Sequence, residues 1–155
     1  MRNVRGNFQA MILLRPATLA DAELLRVWRN DPEMRKNSFD SSAVGKREHL
    51  RWLRASLRSK TRKIYVAWDG SMPVGEGRLD SLDGVVEFDI EVAREYRRAG
   101  YGRQILSALV AKAREWQPGV PLVAHVKAFN TPSLRTFLGA GFAMKSSQCL
   151  ELEMR

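Results

Sequence analysis

Arg97-Arg98-Ala99-Gly100-Tyr101-Gly102 is the stretch on which the fold turns, because a strand pattern ends just before it and a helix pattern begins just after it. In Val85–Val92, the residues Val86, Phe88, Ile90 and Val92 alternate with Val85, Glu87, Asp89 and Glu91. A period of two, with one apolar and one acidic side, predicts a strand. From Ile105 onward, Ile105, Leu106, Leu109, Val110 and Ala113 recur at three- and four-residue spacing, which predicts a helix with one buried stripe. The turn between them carries two arginines and two glycines. Glycine lets backbone approach a ligand closely, and the first N–H groups of a helix carry partial positive charge. A strand–turn–helix of this kind suits an anion, most often a phosphate, although by itself the turn serves equally as a polar connection. It is neither a Gly-Lys-Ser/Thr phosphate loop nor a dinucleotide fingerprint, whose third glycine is missing.

Outward from this turn, the 155 residues are enough for one domain with a sizeable core. Lys and Arg number 26 against 17 Asp and Glu, a net charge of +9. Such a balance favours phosphate-rich ligands, anionic surfaces or nucleic acid and says nothing about fold. The single cysteine, Cys149, excludes an internal disulfide and offers no metal set, so no metal is expected. No apolar run reaches the ~18 residues of a membrane span. Residues 1–10 read as a basic N-terminal extension without a signal core, residues 11–155 as one domain, and the chain as cytoplasmic.

The order of elements follows from the same patterns. Met11–Leu14 predicts a short strand. Thr18 and Asp21 resemble a capping box opening a helix through Trp28, with Leu24, Leu25 and Trp28 inward and a stop before Asp31-Pro32. A second helix is expected over Val44–Leu57, with Leu50, Leu53 and Leu57 on one face and Arg47, Arg51, Arg54 and Arg58 on another. The arginine stripe suits a solvated face better than a binding site. Strands follow at Thr61–Trp68 and Val74–Leu79, joined through a loop from Asp69-Gly70 to Pro73. Leu82-Asp83-Gly84 then turns into Val85–Val92. After the long helix, Pro118-Gly119 breaks the chain. Leu122–Lys127 predicts a strand, Pro132–Leu138 a short helix with Thr131 as a possible cap, and Cys149–Met154 a closing strand.

Two motifs in order carry a specific likeness. Arg97-x-x-Gly100-x-Gly102 resembles the acyl-CoA pyrophosphate loop of the GNAT superfamily of N-acyltransferases, and Asn130-x-x-Ser133-x-x-x-Phe137, followed by Gly141-Phe142, resembles its second motif. The resemblance covers roughly Val85 to Phe142. It implies an α/β GNAT fold, a twisted mixed sheet splayed between the strand ending at Val92 and the strand Leu122–Lys127, with helices on both faces. It also implies acetyl-CoA as cosubstrate and direct attack by an amine. Backbone at Ile90, Glu91 and Val92 would meet the pantetheine, and the Val92 amide the thioester oxygen. Arg97, Arg98, Ala99, Gly100, Tyr101 and Gly102 would hold the pyrophosphate. Asn130 and Ser133 would line the cofactor. Phe137 departs from the family, which usually has there the tyrosine that protonates the departing thiolate. Phe has no hydroxyl to donate. A water, Tyr101 or Ser133 could serve instead, or the thiolate could leave unprotonated.

A general base must be a proton acceptor beside the acceptor site. Glu87 and Asp89 share a face of the central strand, and both are candidates, Glu87 first; either would equally serve as an ion-pair partner. Trp28-Arg29-Asn30-Asp31-Pro32-Glu33-Met34-Arg35, with His49-Leu50-x-Trp52, is similar to N-acetyltransferases of nucleotide-linked amino sugars, closest to those of the pseudaminic acid pathway. That similarity makes Arg29, Asn30, His49 and Trp52 candidates for the acceptor side. The alternatives are acetylation of a protein N-terminus, such as that of a ribosomal protein, and a non-catalytic domain that binds acyl-CoA or nucleic acid.

Overall fold

The computed structural model describes residues 12–152. Its strands are β1 (Leu13–Pro16), β2 (Arg62–Asp69), β3 (Met72–Leu82), β4 (Val85–Val92), β5 (Leu122–His125), β6 (Ala143–Met144) and β7 (Cys149–Leu152). Its helices are α1 (Ala22–Arg29), α2 (Pro32–Asn37), α3 (Lys46–Arg58), α4 (Tyr101–Trp116) and α5 (Thr131–Gly139). The strands form one mixed sheet in the order β1-β2-β3-β4-β5-β7-β6. All described pairs are antiparallel except β4 with β5.

That one parallel pair makes the splay. Val86, Glu87 and Phe88 pair with Leu122, Val123 and Ala124, and the pairing ends there, whereas β4 runs on to Val92. Its antiparallel pairing with β3 continues to Val92 opposite Gly75. Among the described residues, the last four of β4 therefore have a neighbouring strand on one edge only.

Alternation along β2 divides the core between two faces. Tyr65 and Ala67 join Leu79, Phe88, Ile105, Leu106, Leu109 and Leu150 beneath α4 and α5, whereas Ile64 and Val66 join Leu25, Trp28 and Leu53 beneath α1 and α3. Each fully buried leucine or isoleucine contributes about 1.5–3 kcal/mol relative to exposure. Helix α4 rests closely on β3 because Gly75 and Gly77 lack side chains. A Cβ at Gly75 would collide with the Glu91 carbonyl oxygen and Ile105 Cδ1, and one at Gly77 would crowd both methyl groups of Leu109. The β3–β4 turn uses positive φ at Asp83 and Gly84, the geometry that suits a twisted hairpin.

β4 has the expected bounds, and α1 ends before Asp31 as expected. Several other elements differ. The first strand lies at Leu13–Pro16; Met11, the N-terminal extension and residues 153–155 lie outside the described residues. Helix α2 was not expected. Asp31 caps it by accepting from the N–H groups of Glu33 (3.2 Å) and Met34 (3.3 Å), with Pro32 at its first position. In α3 the buried stripe is His49, Leu53 and Ser56; Leu57 is exposed, so the expected Leu50–Leu53–Leu57 face is rotated. The β2–β3 loop is tighter than expected, and Pro73 already pairs with Trp68, beside a bulge between Ala67 and Trp68. β5 stops at His125 rather than Lys127. The cap of α5 is Asn130 rather than Thr131, and β6 was not foreseen. No helix of the described residues is long and apolar enough to cross a membrane.

Candidate active site

The splay opens into a cleft of about 1300 Å³. That exceeds the space of an ordinary single small-ligand site, leaving room for two reactants. On one side stands the end of β4. Ala93 N–H donates to the Val74 carbonyl on β3 at 2.8 Å. Strand N–H groups alternate between edges, so Val92 N–H points to the other edge, where β5 has ended. Across the cleft is the N-terminus of α4. Gly100 caps it at φ +85°, and the first intrahelical bond is Gln104 N–H to Gly100 O. The N–H groups of Tyr101, Gly102 and Arg103 thus have no carbonyl one turn back, and they carry the positive end of a 16-residue helix. Arg98 also has positive φ, +64°, which folds the turn around the helix start. An extended chain along β4 and an anion at α4 would both be accommodated.

Of the residues expected to meet the cofactor, Ile90, Glu91, Val92, Arg97, Arg98, Gly100, Tyr101, Gly102, Asn130, Ser133 and Phe137 line the cleft; Ala99 does not. Three of them are already engaged. The Arg97 guanidinium is turned away from the turn: Nε donates to Val92 O (3.0 Å), Nη1 to Glu33 (2.8 Å) and Nη2 to Asp31 (2.9 Å). Through these bonds Arg97 fastens α2 to the end of β4. Tyr101 Oη donates to Asp69 at 2.5 Å, a bond that raises the phenol's pKa and leaves Tyr101 poorly placed to protonate a thiolate. Asn130 Oδ1 accepts from Ser133 N–H at 3.3 Å as the cap of α5. Phe137 is buried at 3% exposure, its ring edge-on to Phe142 at 5.0 Å.

The face of β3 and β4 toward α1 and α3 is rich in carboxylates. Cross-strand register puts Glu76 opposite Glu91, Arg78 opposite Asp89 and Asp80 opposite Glu87. Glu87 lies 3.1 Å from His125 Nδ1, and Asp89, 57% exposed, pairs with Arg78 at 3.2 Å. Both line the cleft, as does His125. Glu91 is buried, at 6% exposure, and its Oε1 has no hydrogen-bond partner among the described residues. Burial first, then the charges of Glu76 and Asp89, hold its pKa well above the usual carboxylate range. Glu76, half-buried, is pushed up to about 7, chiefly by burial, with Arg78 pulling the other way.

On the acceptor side, Arg29, His49 and Trp52 line the cleft. Arg29 Nη2 donates to Asp40 O at 2.8 Å, while its Nη1 is buried without a hydrogen-bond partner among the described residues. His49 is buried, 5.5 Å from the Trp52 ring. Its pKa is lowered, first by burial and then by the Arg26 charge, so the imidazole is neutral near pH 7. Asn30 is not in the cleft. It bonds both ways with the Val44 backbone, at 2.7 and 2.8 Å, and anchors the loop before α3. The sequence reading missed Glu76 and His125. A charged residue between Gly75 and Gly77 in an apolar strand was a legible signal for the first; for the second there was none without the β4–β5 register.

These features define a sheet splayed beside a helix N-terminus, and comparison with known proteins gives the family. The acetyltransferase (GNAT) domain family matches residues 11–143, and the chain belongs to that family. Uncharacterized N-acetyltransferase YfmK of Bacillus subtilis is 28% identical over 102 residues, which are 63% of this chain and 65% of that protein's length. The spermidine N-acetyltransferase of Vibrio cholerae, solved with CoA and spermine, superposes with a TM-score of 0.82 at 15% identity, over 91% of this chain and 92% of that one. YncA of Salmonella typhimurium, a putative acetyltransferase solved with acetyl-CoA, gives 0.75 at 19% identity over 93% and 94%. At these identities the likeness is one of fold.

Proposed function

We propose that this chain is an acetyl-CoA-dependent N-acetyltransferase whose acceptor is the amino group of a nucleotide-linked amino sugar. The observation that carries the first half is the unpaired edge of β4 from Asp89 to Val92, facing the open N-terminus of α4. The edge offers backbone partners to the amide-bearing arm of acetyl-CoA, as an added strand would find them. The α4 N-terminus and the turn Arg98–Gly102 take the pyrophosphate. Val92 N–H is placed to meet the negative charge that develops on the thioester oxygen. Relatives of the same fold have been solved with acetyl-CoA or CoA.

The acceptor reading is supported by the uneven chemistry of the cleft. Its floor on β3 and β4 carries Glu76, Glu87, Asp89 and Glu91, suited to an amine. Phe39 is exposed in the cleft wall, and beside it, outside the cleft lining, sits an aromatic and basic group: Lys127 Nζ lies 5.7 Å from both Phe39 and Phe129 and donates to Lys36 O at 3.1 Å, and Lys36 Nζ lies 5.7 Å from Phe129. An open aromatic face suits a nucleobase, and lysines suit phosphates. Arg29, His49 and Trp52 line the same cleft, as do Glu87 and Asp89.

The test is acetylation of a 4-amino-sugar nucleotide beside a panel of N-terminal peptides. Transfer to the sugar nucleotide is expected, with free UDP competing against the acceptor and not against acetyl-CoA. Robust transfer to a peptide, with no inhibition by any nucleoside diphosphate, overturns the amino-sugar reading and leaves the acetyltransferase standing.

A further inference from the structure

We propose that Glu76, with the buried carboxyl of Glu91 across from it, is the group that takes the proton from the acceptor amine. This rests on the acetyltransferase reading and replaces Glu87 and Asp89 in the role of base. Glu76 and Glu91 are directly opposite on β3 and β4. Glu91 is the residue before Val92, whose N–H faces the thioester site, so the pair lies at the reacting end of the cleft. Glu91 is more than nine-tenths buried, and its Oε1 has no hydrogen-bond partner among the described residues. Glu76 is the more accessible of the two and lines the same cleft.

Two carboxylates facing one another in a dehydrated site do not both ionise near neutral pH. The groups around them are Arg29 from α1, Arg78 beside Glu76 on β3, Asp89 on β4 and Arg97 from the turn, with neutral His49 of α3 lining the same cleft. Burial outweighs the arginines, and it raises the Glu91 carboxyl well above the usual range, favouring its protonated form. Glu76 is left to titrate at about 7, where a general base is most effective. Glu87 and Asp89 are more exposed and are occupied by His125 and Arg78.

The proton balance fits one such group. The acceptor enters as an ammonium ion and leaves as an amide, losing two protons while the nitrogen–carbon bond forms and the carbon–sulfur bond breaks. Glu76 takes one proton and returns it to solvent between turnovers. The other neutralises the departing thiolate. Glu91 is a positioning residue: by staying neutral it keeps a second charge away from Glu76.

The experiment is a carboxyl titration by NMR on protein labelled at glutamate side chains, with the pH dependence of kcat/KM measured on the amine of a panel (4-amino-sugar nucleotide, spermine, N-terminal peptide) that releases most CoA. Wild type should show one midpoint near 7 and a second raised well above the ordinary carboxylate range. Glu76→Gln should abolish the midpoint near 7 and move the other one down, because the repulsion from Glu76 is gone; turnover should fall by ~10²-fold or more and the limb near 7 should vanish. Glu91→Gln should remove only the second midpoint and keep the limb near 7, because glutamine copies a protonated carboxyl. Loss of the limb in Glu87→Gln or Asp89→Asn, or Glu76 titrating in the ordinary carboxylate range, overturns the proposal. No turnover with any amine, with the midpoint near 7 in place, defeats the acetyltransferase reading and with it the role given to Glu76.

Discussion

Arg97 Nη2 lies 2.9 Å from Asp31 Oδ1, and the same guanidinium holds Glu33 and the Val92 carbonyl, so one side chain ties the start of α2 to the end of the splayed strand. Both Arg97 and Asp31 are largely buried. Leaving Asp31 without its partner removes a charge-assisted bond at a half-buried site. Arg97→Ala should lower stability by about 2 kcal/mol in denaturant unfolding, and should weaken acceptor binding through movement of α2.

The same pair sets a pH dependence. Burial pushes the Asp31 carboxyl up, but the Arg97 bond and the N–H groups of Met34 and Glu33 outweigh it, and its pKa lies below the usual 3.8. A depressed folded-state value means the unfolded chain binds more protons. The contribution is therefore present above pH ~4 and is lost as pH falls through the folded-state value. Arg97→Ala should narrow the gap between wild type and variant at acid pH, read as Tm from pH 5 down to pH 2.5.

Glu76 has the opposite sign. Its folded-state pKa of about 7 exceeds the ordinary 4.5, so the folded chain holds a proton that the unfolded chain releases. Stability on this account falls as pH rises from about 4.5 to about 7 and stays lowered above. Glu76→Gln should raise Tm at pH 8 and leave it nearly unchanged at pH 4. An equal change at both values would show that the burial of Glu76 carries no such cost.

The turn before α4 gives a prediction about the cofactor. A Cβ at Gly100 meets nothing within 4 Å, so crowding inside the protein is not the issue. Positive φ disfavours a branched residue there, and the side chain would project beside the free N–H groups of α4. Gly100→Val should weaken acetyl-CoA binding at least tenfold, about 1.4 kcal/mol, by calorimetry. Unchanged affinity in a folded variant would remove the turn from the cofactor site.

Much of this was legible from residue order, and the reason differs by element. The strand Val85–Val92 and the helix after Gly100 were readable because their periods are unambiguous and both faces are strongly marked. Helix α2 was missed because its six residues are too short to show a period; only Asp31-Pro32 signalled it, and that pair reads equally as a helix end. The bonds of Arg97 to Asp31, Glu33 and Val92 were not legible because sequence shows a charge and not its direction. The burial of Glu91 was not legible because alternation gives the face of a strand but not what covers it, and here α1 brings Arg29 over that face. The Glu76–Glu91 pair needed the β3–β4 register, which the tight Asp83–Gly84 turn sets.

Phe137 offers a test of how CoA leaves. Tyr101 is held by Asp69, which removes one of the alternative donors. Phe137→Tyr restores a hydroxyl at nearly the same volume, beside the cleft. Turnover should rise with the KM for acetyl-CoA unchanged. No rise, with the hydroxyl shown to face the cleft, would mean that another donor already serves.

The central claim is that the splayed edge of β4 and the N-terminus of α4 together hold acetyl-CoA for attack by an amine. The most direct measurement is thiol release from acetyl-CoA by the purified chain, with and without a 4-amino-sugar nucleotide, followed by mass analysis of the acceptor. Amine-dependent release with one acetyl group gained per CoA freed is the expected result, and Gly100→Val should suppress it. Tight acetyl-CoA binding with no transfer to this acceptor or to any amine of a broad panel would contradict the claim and leave a domain that binds the cofactor without using it.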